Sequence, residues 1–305
     1  MTQAVALDGV VKRFGDHVAV EDLSFAVPTG SIYGFLGPNG AGKTTTLRMM
    51  IGIFYPDAGR ISVLGQGNPA AVKARLGYLP EERGLYDKMR LLDVVAYFGQ
   101  LKGMGPRQAR ERADRLLVDY GLGDWRQHKC RELSKGMAQK AQILATILHE
   151  PDLVIFDEPF SGLDPVNRDL MRDVLLDFRR QGRTVVFSTH IMEQAEQVCD
   201  YVLLIDQGRK VLDGSLAQVR SSGGQAVRLD YDAAALPRLP GVRRVNDSGK
   251  QAELFLEEGA DPQAVLEALV QARVRVRCFD LRELSLHEIF IRAVGRPHGG
   301  AGSHA

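Results

Sequence analysis

A glycine-rich segment at residues 37–44 carries the clearest chemical signal in the sequence. It reads GPNGAGKT and fits the pattern G-x-x-x-x-G-K-[ST], between an apolar run and a helix-compatible stretch. In such a segment the glycines let backbone N–H groups wrap closely around phosphates. Lys43 is expected to lie against the β and γ phosphates, and the Thr44 hydroxyl to take one position around Mg²⁺. An ordinary glycine turn is the weaker alternative, so the segment predicts nucleotide binding.

Two adjacent carboxylates, Asp157 and Glu158, follow the apolar run at residues 153–156. The carboxyl end of a buried parallel strand is where α/β sheets bind ligands. We therefore expect Asp157 to join Thr44 in the magnesium shell. Glu158 faces differently and is expected to orient or deprotonate the water that attacks the γ-phosphate. A solvated pair at a strand end is the alternative for this motif taken alone.

Two weaker signals fit the same chemistry. Ser134 and Gly136 begin an amphipathic segment at residues 137–149, and the start of a helix can bind an anion. Ordinary helix capping by Ser134 is the more common interpretation of such a segment. His190 follows the apolar run at residues 184–187, at the sheet edge expected for Asp157, although a lone histidine there is more often structural.

The composition is that of a globular chain that can bury a core. Its 305 residues are 45% hydrophobic and 25% charged, with a formal net charge of +1, so nucleic acid is not expected as the main partner. We find neither a secretory signal pattern nor a run of about 18 apolar residues, and we expect a cytosolic chain. Cys130, Cys199 and Cys278 form no CxxC pair and are expected to be reduced thiols.

The order of patterns along the chain predicts an α/β core. Residues 5–27 alternate between apolar and polar and predict antiparallel strands, followed by a strand, the glycine-rich loop and a helix. Helical spacing dominates a subdomain at about residues 88–150. Apolar runs then alternate with helical segments, which is typical of a parallel sheet covered on both faces. The fold class is therefore a mixed, mostly parallel sheet with an antiparallel β lobe and a helical subdomain.

A polar, glycine-containing break at residues 220–225 predicts a domain boundary. The first domain is expected at residues 1–222. Short candidate strands around two helices at residues 225–295 predict a small accessory α+β domain. Residues 296–305 are rich in Gly, His and Ala and are expected to form a flexible tail.

Over residues 4–220 the motifs, in this order, resemble the ATP-binding subunits of ABC transporters. In that family of P-loop NTPases, residues 37–45 would be the Walker A loop, 133–137 the signature motif, 153–158 Walker B, 161–164 the D-loop, and His190 the switch histidine. The resemblance implies ATP hydrolysis with Mg²⁺, with Glu158 and His190 as catalytic residues and Thr44, Glu81 and Asp157 as metal ligands. It implies nucleotide binding by Phe14, which would stack on adenine, and by Gly37, Pro38, Asn39, Gly40, Ala41, Gly42, Lys43, Thr44, Thr45, Ser134, Gly136 and Asp164.

The family resemblance also implies a two-subunit arrangement. A second copy of the chain, or a paralogous ATPase subunit, would face it head to tail, with each ATP between one Walker A loop and the other signature motif. Two positions depart from the family pattern. Glu81 stands where a glutamine is usual, and the signature reads LSKGM, which places Lys135 where glycine is usual. A carboxylate at position 81 can still ligate magnesium.

Three segments resemble the ABC-2-type exporter branch: residues 81–86, the LSKGM motif and residues 285–290. This implies a separate ABC-2-type membrane permease as partner and a place on the cytoplasmic face of the membrane, with residues 84–90 in the docking surface. An importer subunit is the nearer alternative because the motor motifs do not fix direction. A soluble ABC protein acting on ribosomes or DNA is the more distant one, since the sequence has one Walker A loop and no coiled-coil or zinc insertion.

Overall fold

The computed structural model describes residues 2–82 and 84–294, and it divides into two compact units between Gly214 and Ser215. The division lies before the polar break from which the sequence predicted a boundary. The reason is a helix, Leu216–Gly223, which starts at a capping box on Ser215 and bonds within the second unit, where Arg292 donates to the Gly223 carbonyl. The predicted tail, residues 296–305, lies outside the described residues.

The first unit contains a three-stranded antiparallel lobe, a six-stranded sheet and a helical region. Its elements are β1 Gln3–Phe14, β2 His17–Pro28, β3 Ile32–Leu36, α1 Lys43–Met50, β4 Ala58–Val63, β5 Leu76–Leu79, α2 Leu91–Leu101, α3 Pro106–Asp119, α4 Lys135–Ile147, β6 Leu153–Phe156, α5 Pro165–Arg180, β7 Thr184–Thr189, α6 Met192–Val198, β8 Tyr201–Asp206 and β9 Arg209–Ser215.

The six-stranded sheet has the order β5-β6-β7-β3-β8-β9, and its first five strands pair in parallel. Strands β3, β6 and β7 are buried along their whole length. One face of the sheet shares a core with the antiparallel lobe and α1, where Phe25 and Leu47 lie in one cluster with Phe35. Leu36 is in register with Thr189, and Phe156 with Phe187. The loops that follow β3, β6 and β7 therefore meet at one edge of the sheet, where the predicted site residues lie.

The antiparallel lobe has the order β2-β1-β4, as the alternating pattern of residues 5–27 predicted. In the helical region, α3 buries the apolar positions Ala109, Ala113 and Leu117, which repeat at helical spacing. Helix α4 begins after Ser134, whose hydroxyl accepts a hydrogen bond from the Met137 N–H at 3.3 Å. The predicted α/β fold class is confirmed.

The second unit is a small α+β domain, also as predicted. Its elements are α7 Leu216–Gly223, β10 Gln225–Asp232, β11 Val242–Asp247, β12 Gln251–Leu256, α8 Pro262–Gln271, β13 Arg275–Glu283 and α9 Leu286–Val294. The antiparallel sheet has the order β11-β12-β10-β13. Val265 and Leu269 of α8 share its core with Val227, Leu229 and Leu254.

Candidate functional site

The glycine-rich loop after β3 is shaped by close backbone contacts. A Cβ at Gly37 would lie 2.2 Å from the Ile205 carbonyl oxygen, and one at Gly42 would lie 2.5 Å from that of Ala19. Gly42 also has φ +100, which side chains rarely adopt. Gly42 is the N-cap of α1 and supplies no side-chain cap, so the first-turn N–H groups are available to an anion.

Lys43 is buried at this loop and faces a carboxylate. Its Nζ donates hydrogen bonds to the carbonyl oxygens of Gly37 at 2.8 Å and Pro38 at 3.1 Å. It also lies 3.3 Å from Glu158 Oε1, and both side chains of this ion pair are almost fully buried. The ammonium is thus held at the mouth of the loop, where phosphate oxygens can replace its present acceptors.

Asp157 has one oxygen engaged and one without a partner. Its Oδ1 accepts hydrogen bonds from Thr44 Oγ1 at 3.1 Å and from Ser188 Oγ at 2.6 Å. Its Oδ2 is buried and has no hydrogen-bond partner within the described part of the chain. A carboxylate oxygen and a hydroxyl at this spacing are the hard ligands that Mg²⁺ takes, together with nucleotide phosphates. These residues therefore fit a magnesium ion.

Ser188 is a functional candidate that our sequence analysis missed. Besides bonding to Asp157, its hydroxyl accepts a hydrogen bond from the Glu158 N–H at 2.9 Å, and it is fully buried. It therefore fixes both carboxylates from the neighbouring strand. The sequence did contain a signal for this role. Ser188 stands near the end of an apolar run, two positions before His190, and therefore lies at the same edge of the sheet as the histidine.

Glu158 is held between two nitrogen groups. Its Oε2 lies 3.0 Å from His190 Nδ1, and its Oε1 faces Lys43. Glu158 is 7% exposed and has φ 49, an uncommon conformation for a non-glycine residue, whereas the His190 side chain is 43% exposed. The carboxylate is thus pinned in a strained backbone position while the imidazole reaches solvent.

A cavity of about 360 Å³ opens beside Lys43. It is lined by Phe14, His17, Ala19, Asn39, Gly40, Gly42, Lys43, Thr44, Thr45, Glu81 and Glu158. Most of these were predicted, but His17 and Ala19 were not, while Gly37, Pro38 and Ala41 shape the loop without lining the cavity. The Phe14 ring is 44% exposed and packs edge-on against Phe54, with centroids 5.3 Å apart. We call this space the Lys43 cavity.

Ser134, Gly136 and Asp164 do not line the Lys43 cavity. Ser134 caps α4, and Asp164 caps α5 by accepting the Asn167 N–H at 2.9 Å. Gly136 lies against Asn167, whose Nδ2 would be 2.6 Å from a Cβ at that position. The starts of α4 and α5 are therefore neighbours, at a place separate from the Lys43 cavity of the same chain.

A smaller cavity of about 190 Å³ lies on the other side of the carboxylates. We call it the acidic cavity, and it is lined by Leu79, Pro80, Glu81, Lys135, Gln139, Gln142, Asp157, Glu158, Pro159 and Ser161. Lys135 lies over Gly162, since a Cβ there would be 2.7 Å from the lysine Nζ. The cation that replaces a family glycine thus faces the carboxylates of its own chain.

An apolar cavity of about 390 Å³ lies between the main sheet and the helical region. We call it the apolar groove, and it is lined by Tyr78, Leu79, Pro80, Gly84, Leu85, Phe98, Leu101, Lys102, Gln142, Ala145, Thr146 and His149. Burial and the nearby Lys102 charge lower the pKa of His149 to about 4, so this imidazole is neutral near pH 7. The groove therefore presents mainly apolar surface.

Three aromatic rings adjoin the apolar groove. Tyr86 is 51% exposed, and its ring centroid lies 5.8 Å from that of Tyr97 and 6.2 Å from that of Phe98. Within residues 84–90, which the family resemblance assigns to a docking surface, Tyr86 is exposed, whereas Leu85 and Met89 are half-buried. Exposed aromatic side chains beside an apolar cavity are typical of a surface that meets a partner.

Residues 2–82 and 84–294 contain no helix with the length and apolar character needed to span a membrane. They also contain no group of three or more His, Cys, Asp or Glu side chains that could hold a metal ion on their own. Thr44, which bonds to Asp157, and nucleotide oxygens are the further ligands available to a magnesium ion at Asp157. The three cysteines are free thiols, with Cys130 and Cys199 buried and Cys278 exposed.

Comparison with known proteins gives two family matches. The model for the ABC transporter family matches residues 20–161, and the model for the C-terminal domain of DrrA1-3-like ATP-binding proteins matches residues 214–294. A solved structure of the ATP binding subunit of an ABC transporter superposes with a TM-score of 0.67 and 30% identity, over 72% of this chain and 93% of that chain. The first unit therefore has the fold of these ATPases.

Relatives of known sequence match nearly the whole chain. The chain is 37% identical over 294 residues to the uncharacterized ABC transporter ATP-binding protein YhaQ of Bacillus subtilis, which covers 95% of this chain and 98% of that protein. It is 35% identical over 304 residues to Nod factor export ATP-binding protein I of a Rhizobium species, covering 96% and 97%. It is 34% identical over 309 residues to the daunorubicin/doxorubicin resistance ATP-binding protein DrrA of Streptomyces peucetius, covering 97% and 94%. The chain belongs to the ATP-binding subunits of ABC transporters, which are magnesium-dependent ATPases, in the branch that contains the DrrA and Nod factor export proteins.

Proposed function

We propose that the Lys43 cavity is where this subunit hydrolyses ATP, and that hydrolysis drives export through a separate ABC-2-type permease. The position of Glu158 carries the proposal. Its carboxylate lies 3.3 Å from Lys43 Nζ and 3.0 Å from His190 Nδ1, directly after the aspartate that bonds to Thr44. A buried carboxylate beside a phosphate loop and a metal-type pair of oxygens is arranged to activate an attacking water.

The residues around the Lys43 cavity have separate roles in this proposal. Phe14 offers a ring face for adenine, and the glycine-rich loop offers N–H groups to the phosphates. Lys43 exchanges its loop carbonyls for phosphate oxygens. Thr44 and Asp157 would hold Mg²⁺, with Glu81 as a further ligand. The bound ion would neutralise charge that develops on the transferred phosphoryl group.

Glu158 and His190 form the catalytic pair of the proposal. Glu158 accepts the proton of the attacking water, and its burial near Lys43 keeps the carboxylate fixed for that step. His190 uses Nδ1 toward Glu158, and its other ring nitrogen has no hydrogen bond to the residues that the structure describes. That nitrogen is available to the γ-phosphate. Ser188 supports the pair by fixing the Glu158 backbone.

A second ATPase subunit completes the site in this proposal. Ser134, Gly136 and Asp164 lie at the starts of α4 and α5, away from the Lys43 cavity of their own chain. The start of a helix can bind anionic phosphates of a nucleotide held by a facing subunit. The facing subunit is a second copy of this chain or a paralogue.

The permease is proposed to dock at the apolar groove and at Tyr86. An apolar cavity beside exposed aromatic rings offers buried anchor points for a segment of the partner. The subunit would then lie on the cytoplasmic face of the membrane. Relatives named for Nod factor export and drug resistance favour export over the import alternative.

Purification from gently solubilised membranes tests this assignment. A tagged chain should recover a membrane protein of the ABC-2 permease class, and the complex should hydrolyse ATP with Mg²⁺. The Glu158→Gln variant should recover the same partner while losing turnover. Recovery of ribosomes or DNA in place of a membrane protein would contradict the transport assignment.

A further inference from the structure

Gln142 lies on the wall between the apolar groove and the acidic cavity. Three residues line both spaces, namely Leu79, Pro80 and Gln142. Of these three residues, Gln142 has a side chain that can form hydrogen bonds, whereas leucine and proline side chains cannot. A polar side chain that lines both spaces can move when a partner fills the apolar groove, and this movement can change its contacts in the acidic cavity.

The Gln142 side-chain amide has no hydrogen-bond partner among residues 2–82 and 84–294. The residue as a whole is 8% exposed, and its backbone carbonyl accepts a hydrogen bond from Thr146 Oγ1 at 2.8 Å. Its Nε2 atom lies near Gly84, because a Cβ at that position would be 3.9 Å away. Polar groups of buried residues normally have partners, and this amide has room to take one.

Gln139 provides a contrast on the same helix. It also lines the acidic cavity, but it does not line the apolar groove. Its Nε2 donates a hydrogen bond to the Pro159 carbonyl at 2.7 Å. These two glutamines, three positions apart on α4, thus differ in two respects. Gln139 bonds to the Pro159 carbonyl and does not line the groove, whereas the Gln142 amide has no such bond and lines the groove.

The residues that line the acidic cavity include three carboxylates and one cation, Lys135, so acceptors outnumber charged donors there. Glu81, Asp157 and Glu158 line it, and ionised carboxylates can only accept hydrogen bonds. Glu81 also lines the Lys43 cavity. We propose that Gln142 is a positioning residue that turns its amide toward the acidic cavity when the permease fills the groove, and there donates a hydrogen bond to Glu81. This inference rests on the proposed docking of the permease at the groove.

The direct test compares ATPase rates of the chain alone and in complex with its co-purified permease. For the native chain, the complex should be faster. In Gln142→Met, which keeps the length but removes the amide, the ratio of the two rates should fall to about one while co-purification persists. Gln142→Asn, which keeps a shorter amide, should restore part of the ratio. Gln139→Met, the matched control, should change both rates together and leave their ratio intact.

A rate ratio in Gln142→Met that equals the ratio of the native chain would overturn the inference. Failure of the native chain to recover any permease would instead count against the proposed docking on which the inference rests.

Discussion

His190 Nδ1 lies 3.0 Å from Glu158 Oε2, so the histidine after β7 directly contacts the carboxylate after β6. The other carboxylate oxygen faces Lys43 Nζ at 3.3 Å. Glu158 therefore has a cation on one side and an imidazole on the other, inside a buried site. We therefore predict that Glu158 is the base that activates water for ATP hydrolysis.

Glu158→Gln should lower turnover by roughly 10² to 10⁴, the usual contribution of a general base, because the amide keeps the size of the side chain but cannot take a proton. ATP should still bind. Unconsumed ATP should then hold two subunits together, since ligand binding favours the state that binds it. Phosphate release and light scattering with and without ATP measure the two effects. Near-normal phosphate release would exclude Glu158 as base, and a monomer that binds ATP tightly would exclude the two-subunit site.

Lys43→Ala should weaken ATP binding by about 10-fold to 100-fold, the range expected when hydrogen bonds from a charged donor are lost. It should also leave Glu158 without its nearby cation. Isothermal titration with ATP and Mg²⁺ measures the affinity. Lys210→Ala removes a lysine whose Nζ donates to the Ser24 carbonyl, and it serves as the control. Equal affinities for the Lys43 and Lys210 variants would remove Lys43 from the phosphate site.

Glu81→Gln should raise the Mg²⁺ concentration needed for half-maximal ATPase activity while ATP affinity stays nearly constant. The reason is that the amide loses the charge that attracts the ion, at a residue lining both the Lys43 cavity and the acidic cavity. Glu82→Gln is the matched control, because Glu82 is adjacent and exposed and lines neither cavity. Magnesium titrations that coincide for native chain and Glu81 variant would argue against a metal role.

Tyr86→Ala should weaken recovery of the permease without changing the ATPase rate of the isolated chain. Tyr86 is 51% exposed beside the apolar groove, and loss of an aromatic anchor at an interface commonly costs more than 1 kcal/mol. Tyr55→Ala removes a tyrosine that is 69% exposed but does not line the groove, and should have no effect. Full permease recovery with the Tyr86 variant would place the docking surface elsewhere.

Acidification should destabilise the first unit through His149. Its pKa is about 4 in the folded chain against an ordinary value of 6.5, because burial and the Lys102 charge disfavour the imidazolium. Between these values the unfolded chain binds the proton and the folded chain does not, so the free energy of unfolding falls as pH drops from about 6.5 toward 4. Urea unfolding followed by Trp125 fluorescence at several pH values measures this.

His149→Gln should flatten that pH dependence, whereas His17→Gln should retain it, since His17 is exposed. The comparison without nucleotide isolates the buried imidazole from other titrating groups. A pH slope that is identical in the His149 variant and the native chain would show that another group causes the loss of stability.

The sequence alone determined the elements whose cause is local. The pattern at residues 37–44 specifies a loop that only glycines can form, and a lysine and a hydroxyl at fixed positions after it. The run ending at Asp157 and Glu158 identified a buried strand with carboxylates at its ligand edge, because burial of a parallel strand requires continuous apolar residues. Helical spacing likewise predicted α3, and short candidate strands around two helices predicted the α+β character of the second unit.

Only the tertiary structure decided which distant side chains meet. Ser188 bonds to Asp157, and His190 reaches Glu158, because β6 and β7 pair in a parallel register that apolar runs do not specify. The boundary at Gly214 depends on where α7 packs, which a polar sequence break does not reveal. Gln142 shows the same limit. Its place between two cavities arises from the packing of α4 against β5 and α2, whereas its helical position alone predicts only a polar side chain in an amphipathic segment.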